Sequence, residues 1–430
     1  MTRREVAGLA LSAAAGLAQE LGERPQRDPS VEVVNPGGKV PVSLLIDDST
    51  CLVNLAHFGI PHFAEAYPDR YKQDWRSLPR EIPDSFVREF GEWTRTNGVK
   101  GKYSIVPYPA CVGWVDRDMP GWSRKQLNDS LHLVRTLIAP NWDIHPEMIT
   151  HTWAIDTKTG RPFPQRTEAF MENFGWSQNK SVDELADYIG YALRILKNAG
   201  LPCEGHTTPG GFAGRNLVNL SKATLQACKD VYQTEIPHYF RHAFQDARSV
   251  APRVENVSGL HTADPRCVVS IIGCTGDWFG GWDGLETPTL DKFITADLQG
   301  GRMPEVIRRG EPAIMLCHWP GIYCNGKKDG YHTLQKIHER LMAGYKDRIA
   351  WMKVGDIARY WAAKELTAIA RDGNTIRFKA PFACPGFTLK LATQRVSQIR
   401  AQGKVEWKAD SAGLIVTFDL PKGESALTLS

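Results

Sequence analysis

The chain has 430 residues, 42% of them hydrophobic and 23% charged, with 38 Gly and 27 Pro. That composition excludes a collagenous, disordered or multi-span membrane chain and leaves length enough to bury a large core. Lys and Arg number 52 against 48 Asp and Glu, a formal charge of +4, so the charge gives no reason to expect nucleic acid as a partner.

Residues 1–18 place Arg3 and Arg4 ahead of an apolar run, Val6 to Leu17, too short to span a bilayer. Small residues at Ala13–Ala15 and Gly16–Ala18 offer cleavage sites, so the segment reads as an export signal. The paired arginines suggest the twin-arginine type and a periplasmic or extracellular destination. Residues 19–40 are polar with Pro and Gly and read as a linker. The nine cysteines are odd in number and form no CxxC pair, which argues against a disulfide framework or a zinc ribbon.

From residue 41 onward short apolar runs alternate with amphipathic stretches. Val42 to Ile46 is a buried-strand candidate that ends at Asp47-Asp48. A helix is expected over 82–96, a strand over 103–106, a helix over 127–137 and a strand over 147–151. Ser181 and Glu184 fit a capping box, Leu185, Ile189, Leu193 and Leu196 recur at helical spacing, and Gly200 ends the helix. Further strands are expected at 268–272, 313–316 and 349–352, with helices over 333–344 and 356–364. The alternation over 41–365 predicts a parallel α/β fold, most simply a barrel. Beyond 366, Asp372-Gly373-Asn374 is a hairpin signal, and five short strand-like runs predict a small antiparallel β domain to residue 430.

In a parallel barrel chemistry sits where strands end. Five predicted strand ends carry Asp or His: Asp47-Asp48, His151 with Trp153 and Asp156, His206 with Pro209-Gly210-Gly211, Asp277-Trp278, and His318-Trp319. Singly, each has a plain reading: an Asp can cap a helix, a His can be a satisfied core residue, and Pro-Gly-Gly can be a turn. Together they suit metal-assisted hydrolysis, in which a carboxylate and imidazoles hold a divalent ion, a second carboxylate takes a proton from water, and a His protonates the leaving group. Trp153, Trp278, Trp282 and Trp319 adjoin these residues and offer faces on which sugar C–H groups stack. His57 and His62 read as surface histidines, and Cys317 as a buried hydrophobe.

The order of these motifs resembles the polysaccharide deacetylase (NodB-homology) family. Leu45-Ile46-Asp47-Asp48-Ser49 is similar to its Thr-Phe-Asp-Asp-Gly motif. His151-Thr152 is similar to a motif that opens His-Ser/Thr and closes on a second His four positions later, where this chain has Ile155. Thr207-Thr208-Pro209-Gly210-Gly211 stands in the place of Arg-x-Pro-x-Gly, Asp277-Trp278 in that of a later Asp-Trp, and Leu316-Cys317-His318 in that of Leu-x-His. The segment 98–106 looks like the family's second strand.

The resemblance covers about 45–362 and implies a distorted (β/α)7 barrel, here with a C-terminal β-sandwich domain. It implies a divalent metal ion, zinc, and a carbohydrate substrate that loses acetyl groups. By position Asp47 becomes the base, Asp48 and His151 metal ligands, and His318 the acid, with Asp156 or His206 standing in for the missing ligand. Trp153, Pro209, Gly210, Asp277, Trp278 and Trp319 become substrate contacts. Two other readings stand beside this one. A glycoside hydrolase would use carboxylates drawn from Asp47, Asp48, Asp156, Asp277 and Glu204. A carbohydrate-binding protein that has lost catalysis would explain Ile155 and Thr207.

Overall fold

The structure, a computed structural model, describes residues 20–392, 396–410 and 413–430; the expected export signal lies outside them. The fold is mixed α/β. Seven strands run mutually parallel: β1 (Val40–Asp47), β2 (Gly101–Ile105), β3 (Trp142–Pro146), β4 (Gly205–Thr207), β5 (His238–Ala243), β6 (Arg266–Gly273) and β7 (Ala313–His318).

They fall into two sheets. One has the order β7-β1-β2-β3, with Ile349–Trp351 added along the start of β1; the other is β4-β5-β6, with Arg253–Ser258 antiparallel on its edge. Isolated parallel bridges Glu147–Thr207 and Asp277–Leu316 link β3 to β4 and the residues after β6 to β7. Every residue of β1 is buried, which is why its apolar run reads as continuous rather than alternating. Gly101 lets β2 approach β1, because a Cβ there would collide with the Leu44 carbonyl.

Helices follow the strands. Val182–Asn198 carries the Ser181/Glu184 capping box, and its apolar stripe packs against Leu217–Tyr232. The helix Leu217–Tyr232 and strand β5 are absent from the sequence-based elements. The β5 sequence, His-Tyr-Phe-Arg-His-Ala, hides a core strand because His238 and Tyr239 are fully buried polar residues.

The strand expected over 147–151 is displaced. The strand is Trp142–Pro146, and Glu147–His151 is the loop beyond it. Met148 and Ile149 are fully buried there, so an apolar pair inside a loop imitates a strand. Among the described residues no helix is long and apolar enough to cross a membrane.

Among the described residues, seven antiparallel strands between 368 and 429 join Val31–Val33 in two four-stranded sheets. The two share one core, where Phe378 meets Phe387 and Phe418. Within the stretch read as a linker, Val31–Val33 pairs with Leu389–Leu391, and Gly22 and Arg27 bridge to Val257 and Ile369.

Candidate active site

The strand ends bring a compact ionisable cluster together. Asp48 follows β1, while Glu147 and His151 lie on the loop after β3; ligand atoms of all three lie within 4.8 Å of one another. His151 Nε2 is 2.7 Å from Asp48 Oδ1 and 3.4 Å from Glu147 Oε1, and the Asp48 N–H donates to Glu147 Oε2 at 2.8 Å. All three are buried. Burial opposes charge on His151, but Asp48 and Glu147 outweigh it and hold the imidazole well above its usual range. Burial likewise works against the Glu147 charge, and the His151 bond and charge pull that carboxyl down. Asp48 Oδ1 is buried with His151 Nε2 as its neighbour, and both are atoms that can ligate a metal. Two carboxylates and one imidazole are a donor set that fits a divalent ion.

Glu147 is the residue sequence reasoning missed. The signal was available: Glu147 and His151 are four positions apart, the spacing of the histidine motif in the resembled family. The match of His151-Thr152 to the motif's His-Ser/Thr opening set His151 at the first position and left Glu147 out. Ile155 is a buried residue in a two-residue strand and does not join this group.

A second buried carboxylate holds this loop. Glu172 accepts backbone N–H groups from Thr150 at 3.0 Å and His151 at 2.6 Å, with Ile149 at 3.3 Å, and the Tyr188 hydroxyl donates to it. Burial pushes the Glu172 carboxyl up to about 7, against the pull of these donors. Asp48, Met148 and His151 all sit at positive φ (61°, 46° and 65°), where a non-glycine residue costs about 1–3 kcal/mol. Strain of that kind gathers where side chains must be aimed.

Asp47 and His318 are register partners on the adjacent strands β1 and β7. Burial, with the Glu147 charge beside it, pushes the Asp47 carboxyl up, and Lys102 and His318 oppose that. His318 Nδ1 lies 2.7 Å from Asp277 Oδ2. Burial would lower His318, but Asp48 and Asp277 raise it to about 10.

Asp47, Asp48, Glu147, His151 and His318 line one cavity of about 420 Å³ with Phe63, Arg70, Tyr71, Asn173, Phe174, Gly210, Gly211 and Trp282, while Asp277 stays outside the lining. A larger cavity of about 810 Å³ lies between residues 26–28 and the C-terminal sheet edge, away from this cluster.

Several expected contacts sit elsewhere. His206 is fully buried, bonds Thr224 Oγ1 at 2.8 Å, and is pushed down to about 3 by burial; it does not join the metal-binding group. Asp156 caps its own turn, accepting from the Lys158 N–H, and also stays apart. Trp319 is 1% exposed against Phe86, Phe90 and Tyr103, and Trp153 is 2% exposed against Phe63 and Met171. Neither indole offers a face to the cavity; each fills a gap behind a strand end. Trp278 packs edge-on against Phe293, and Pro209 is outside the lining although Gly210 is in it. Trp282 is the indole that faces the cavity. Of the two histidines read as surface residues, His57 is buried and bonds the Leu78 carbonyl, while His62 is half-buried and bonds Thr152 Oγ1. All nine cysteines are free, and all but Cys111 are buried.

No family model matches this chain, and no curated protein matches it. Solved structures do. One is a BA3943 mutant, a CE4 family pseudoenzyme with restored enzymatic activity, at 12% identity, 76% of this chain, 70% of that chain and a TM-score of 0.33. Another is a Mycobacterium smegmatis protein provisionally named a polysaccharide deacetylase, at 13% identity, 81% of this chain, 99% of that one and a TM-score of 0.42. A third is the catalytic domain of the GH30 xylanase C of Talaromyces cellulolyticus, at 8% identity, 93% and 99% coverage and a TM-score of 0.28. The polysaccharide deacetylase name met in the sequence resemblance thus recurs among these structures. At these scores the functional reading has to come from the side chains.

Proposed function

We propose that this chain is a metal-dependent hydrolase that removes acetyl groups from a carbohydrate. The observation that carries the reading is the convergence of Asp48, Glu147 and His151 beside Asp47 and His318 in one cavity. In this reading the strands β1 to β7 close as a distorted (β/α)7 barrel over residues 41–365. Residues 366–430 form a C-terminal β-sandwich, and residues 1–18 direct export to the periplasm or beyond.

Asp48, Glu147 and His151 would hold a divalent ion, which when bound supplies Lewis acidity. Asp47 accepts a proton from the attacking water, and its raised carboxyl suits that exchange near neutrality. His318, charged and held by Asp277, delivers a proton to the departing group. Phe63, Tyr71, Phe174 and Trp282 give the cavity an aromatic wall of the kind that stacks on sugar rings. With one imidazole and two carboxylates, the donor set leans further toward oxygen-seeking ions than a two-imidazole site would, so zinc competes there with manganese or magnesium.

The test is acetate release from N-acetylglucosamine oligomers and acetylated xylan, with divalent metal quantified in protein purified without chelator. Retained metal and chelator-sensitive acetate release are expected. Activity on glycosidic bonds that ignores chelator would favour the glycoside hydrolase reading. Sugar binding without any turnover would favour the binding protein.

A further inference from the structure

The interior of the parallel sheets holds a lysine that packing does not explain. Lys102 lies in β2 and is 0% exposed. A buried ammonium is costly unless its hydrogens are all bonded. Here they are: Nζ donates to the Ile46 carbonyl at 2.9 Å, to Ser104 Oγ at 2.8 Å and to Asp47 Oδ1. Ile46 belongs to the neighbouring strand β1 and Ser104 to β2 itself, so the ammonium is fixed to the sheet before it meets the carboxylate. The Phe240 ring stands 5.7 Å from Nζ and closes the remaining side. Asp47, in turn, lines the cavity with its side chain 7% exposed. One carboxylate oxygen is thus tied to a fixed cation while the residue opens on the space where substrate would sit.

We propose that Lys102 is the positioning residue of the candidate base, fixing the Asp47 carboxylate by pairing one of its oxygens from within the sheet. The role assigned to Asp47 rests on the hydrolase reading above; the pairing does not. Lys102 touches no substrate and moves no proton. It sets the direction in which Asp47 presents its free oxygen and keeps that carboxylate from swinging to His318, its register partner on β7.

The test uses the full chain carrying Lys102→Met, Lys102→Arg, Asp47→Asn or the double change Asp47→Asn/Lys102→Met. Three quantities are read: acetate release from N-acetylglucosamine pentamer, retained divalent metal, and urea unfolding. Lys102→Met is expected to lower kcat about a hundredfold while KM and retained metal hold, as misplacing a reacting group does. Lys102→Arg is expected to recover most of that loss, since a guanidinium can make the same pairing. The stability losses of the two single changes are expected to be clearly non-additive in the double variant. If Lys102→Met does not fold, the double variant is expected to fold, because no unpaired buried charge remains.

A kcat for Lys102→Met within about threefold of wild type would overturn the inference. So would additive stability losses, or a double variant as unfolded as the single one. A wild type that releases no acetate defeats the hydrolase reading instead, and the unfolding measurements then still decide whether Lys102 holds Asp47.

Discussion

Replacing Glu172 with Ala removes one acceptor that serves four donors. Thr150 and His151 lose well-formed bonds to a carboxylate, Ile149 loses a longer one, and the Tyr188 hydroxyl is left facing a void. A buried donor left without a partner costs about 1–3 kcal/mol. Water entering the space returns part of that, so the expected loss is roughly 4 kcal/mol. The strain at Met148 and His151 then has less to hold it, and the loop relaxes away from the metal-binding geometry. Metal affinity should fall about 10–100-fold, as it does when the partners that orient ligands are removed.

The assay is urea unfolding of wild type and variant, with calorimetric titration of a divalent ion. Its pH dependence has a definite sign. The Glu172 carboxyl is raised from 4.5 to about 7 in the folded chain, so its contribution is fully present below 4.5 and is lost as pH rises through about 7. The gap between wild type and Glu172→Ala should therefore be widest in mild acid and narrow toward pH 7. A variant that unfolds within about 1 kcal/mol of wild type at about pH 5, with unchanged metal affinity, would refute the reasoning.

Asp277→Asn should bring His318 down from about 10, moving the alkaline limb of acetate release to lower pH. In wild type the raised imidazole adds stability below pH 6.5 that fades as pH climbs through about 10; the Asn variant should show a flatter profile in urea unfolding. Glu147→His makes the donor set two imidazoles and one carboxylate, and competition titrations should show zinc gaining on manganese by about tenfold or more; an unchanged ratio would remove Glu147 from the coordination set. Thiol titration of native protein should reach Cys111 at most, because the other eight cysteines are buried, while denatured protein should yield all nine; fewer than nine in denaturant without reductant would reveal disulfides.

Elements whose interior side chains are apolar were legible in the sequence. Val42–Ile46 and the stripe of Val182–Asn198 announce themselves by burial pattern alone. Elements that put polar groups inside were not. The strand His238–Ala243 turns His238 and Tyr239 into the core and was missed; β2 buries Lys102 but was still read from its apolar residues over 103–106. Asp47, Asp48 and His318 were visible as polar residues closing apolar runs. Glu147 was hidden by the buried pair Met148-Ile149, which gave a loop the look of a strand. Lys102 and Glu172 were hidden for a different reason. Their partners are backbone atoms and side chains brought close only by tertiary folding, and no local spacing encodes that. Tryptophans misled in the opposite direction: adjacency to a motif says nothing of which side of the strand end an indole occupies. Trp153 and Trp319 fill the core, while Trp282, a few residues beyond Asp277-Trp278, faces the cavity.

The pairing of Val31–Val33 with Leu389–Leu391 joins positions about 360 residues apart along the chain. A contact that remote is slow to form and lies beyond the reach of a partly synthesised polypeptide. Val31–Val33 therefore gains its neighbouring strand only after residues 389–391 have emerged from the ribosome. Amide protection at Val31 and Val33 would then act as a completion signal, a reading near one end of the molecule that the other end has been made and has docked.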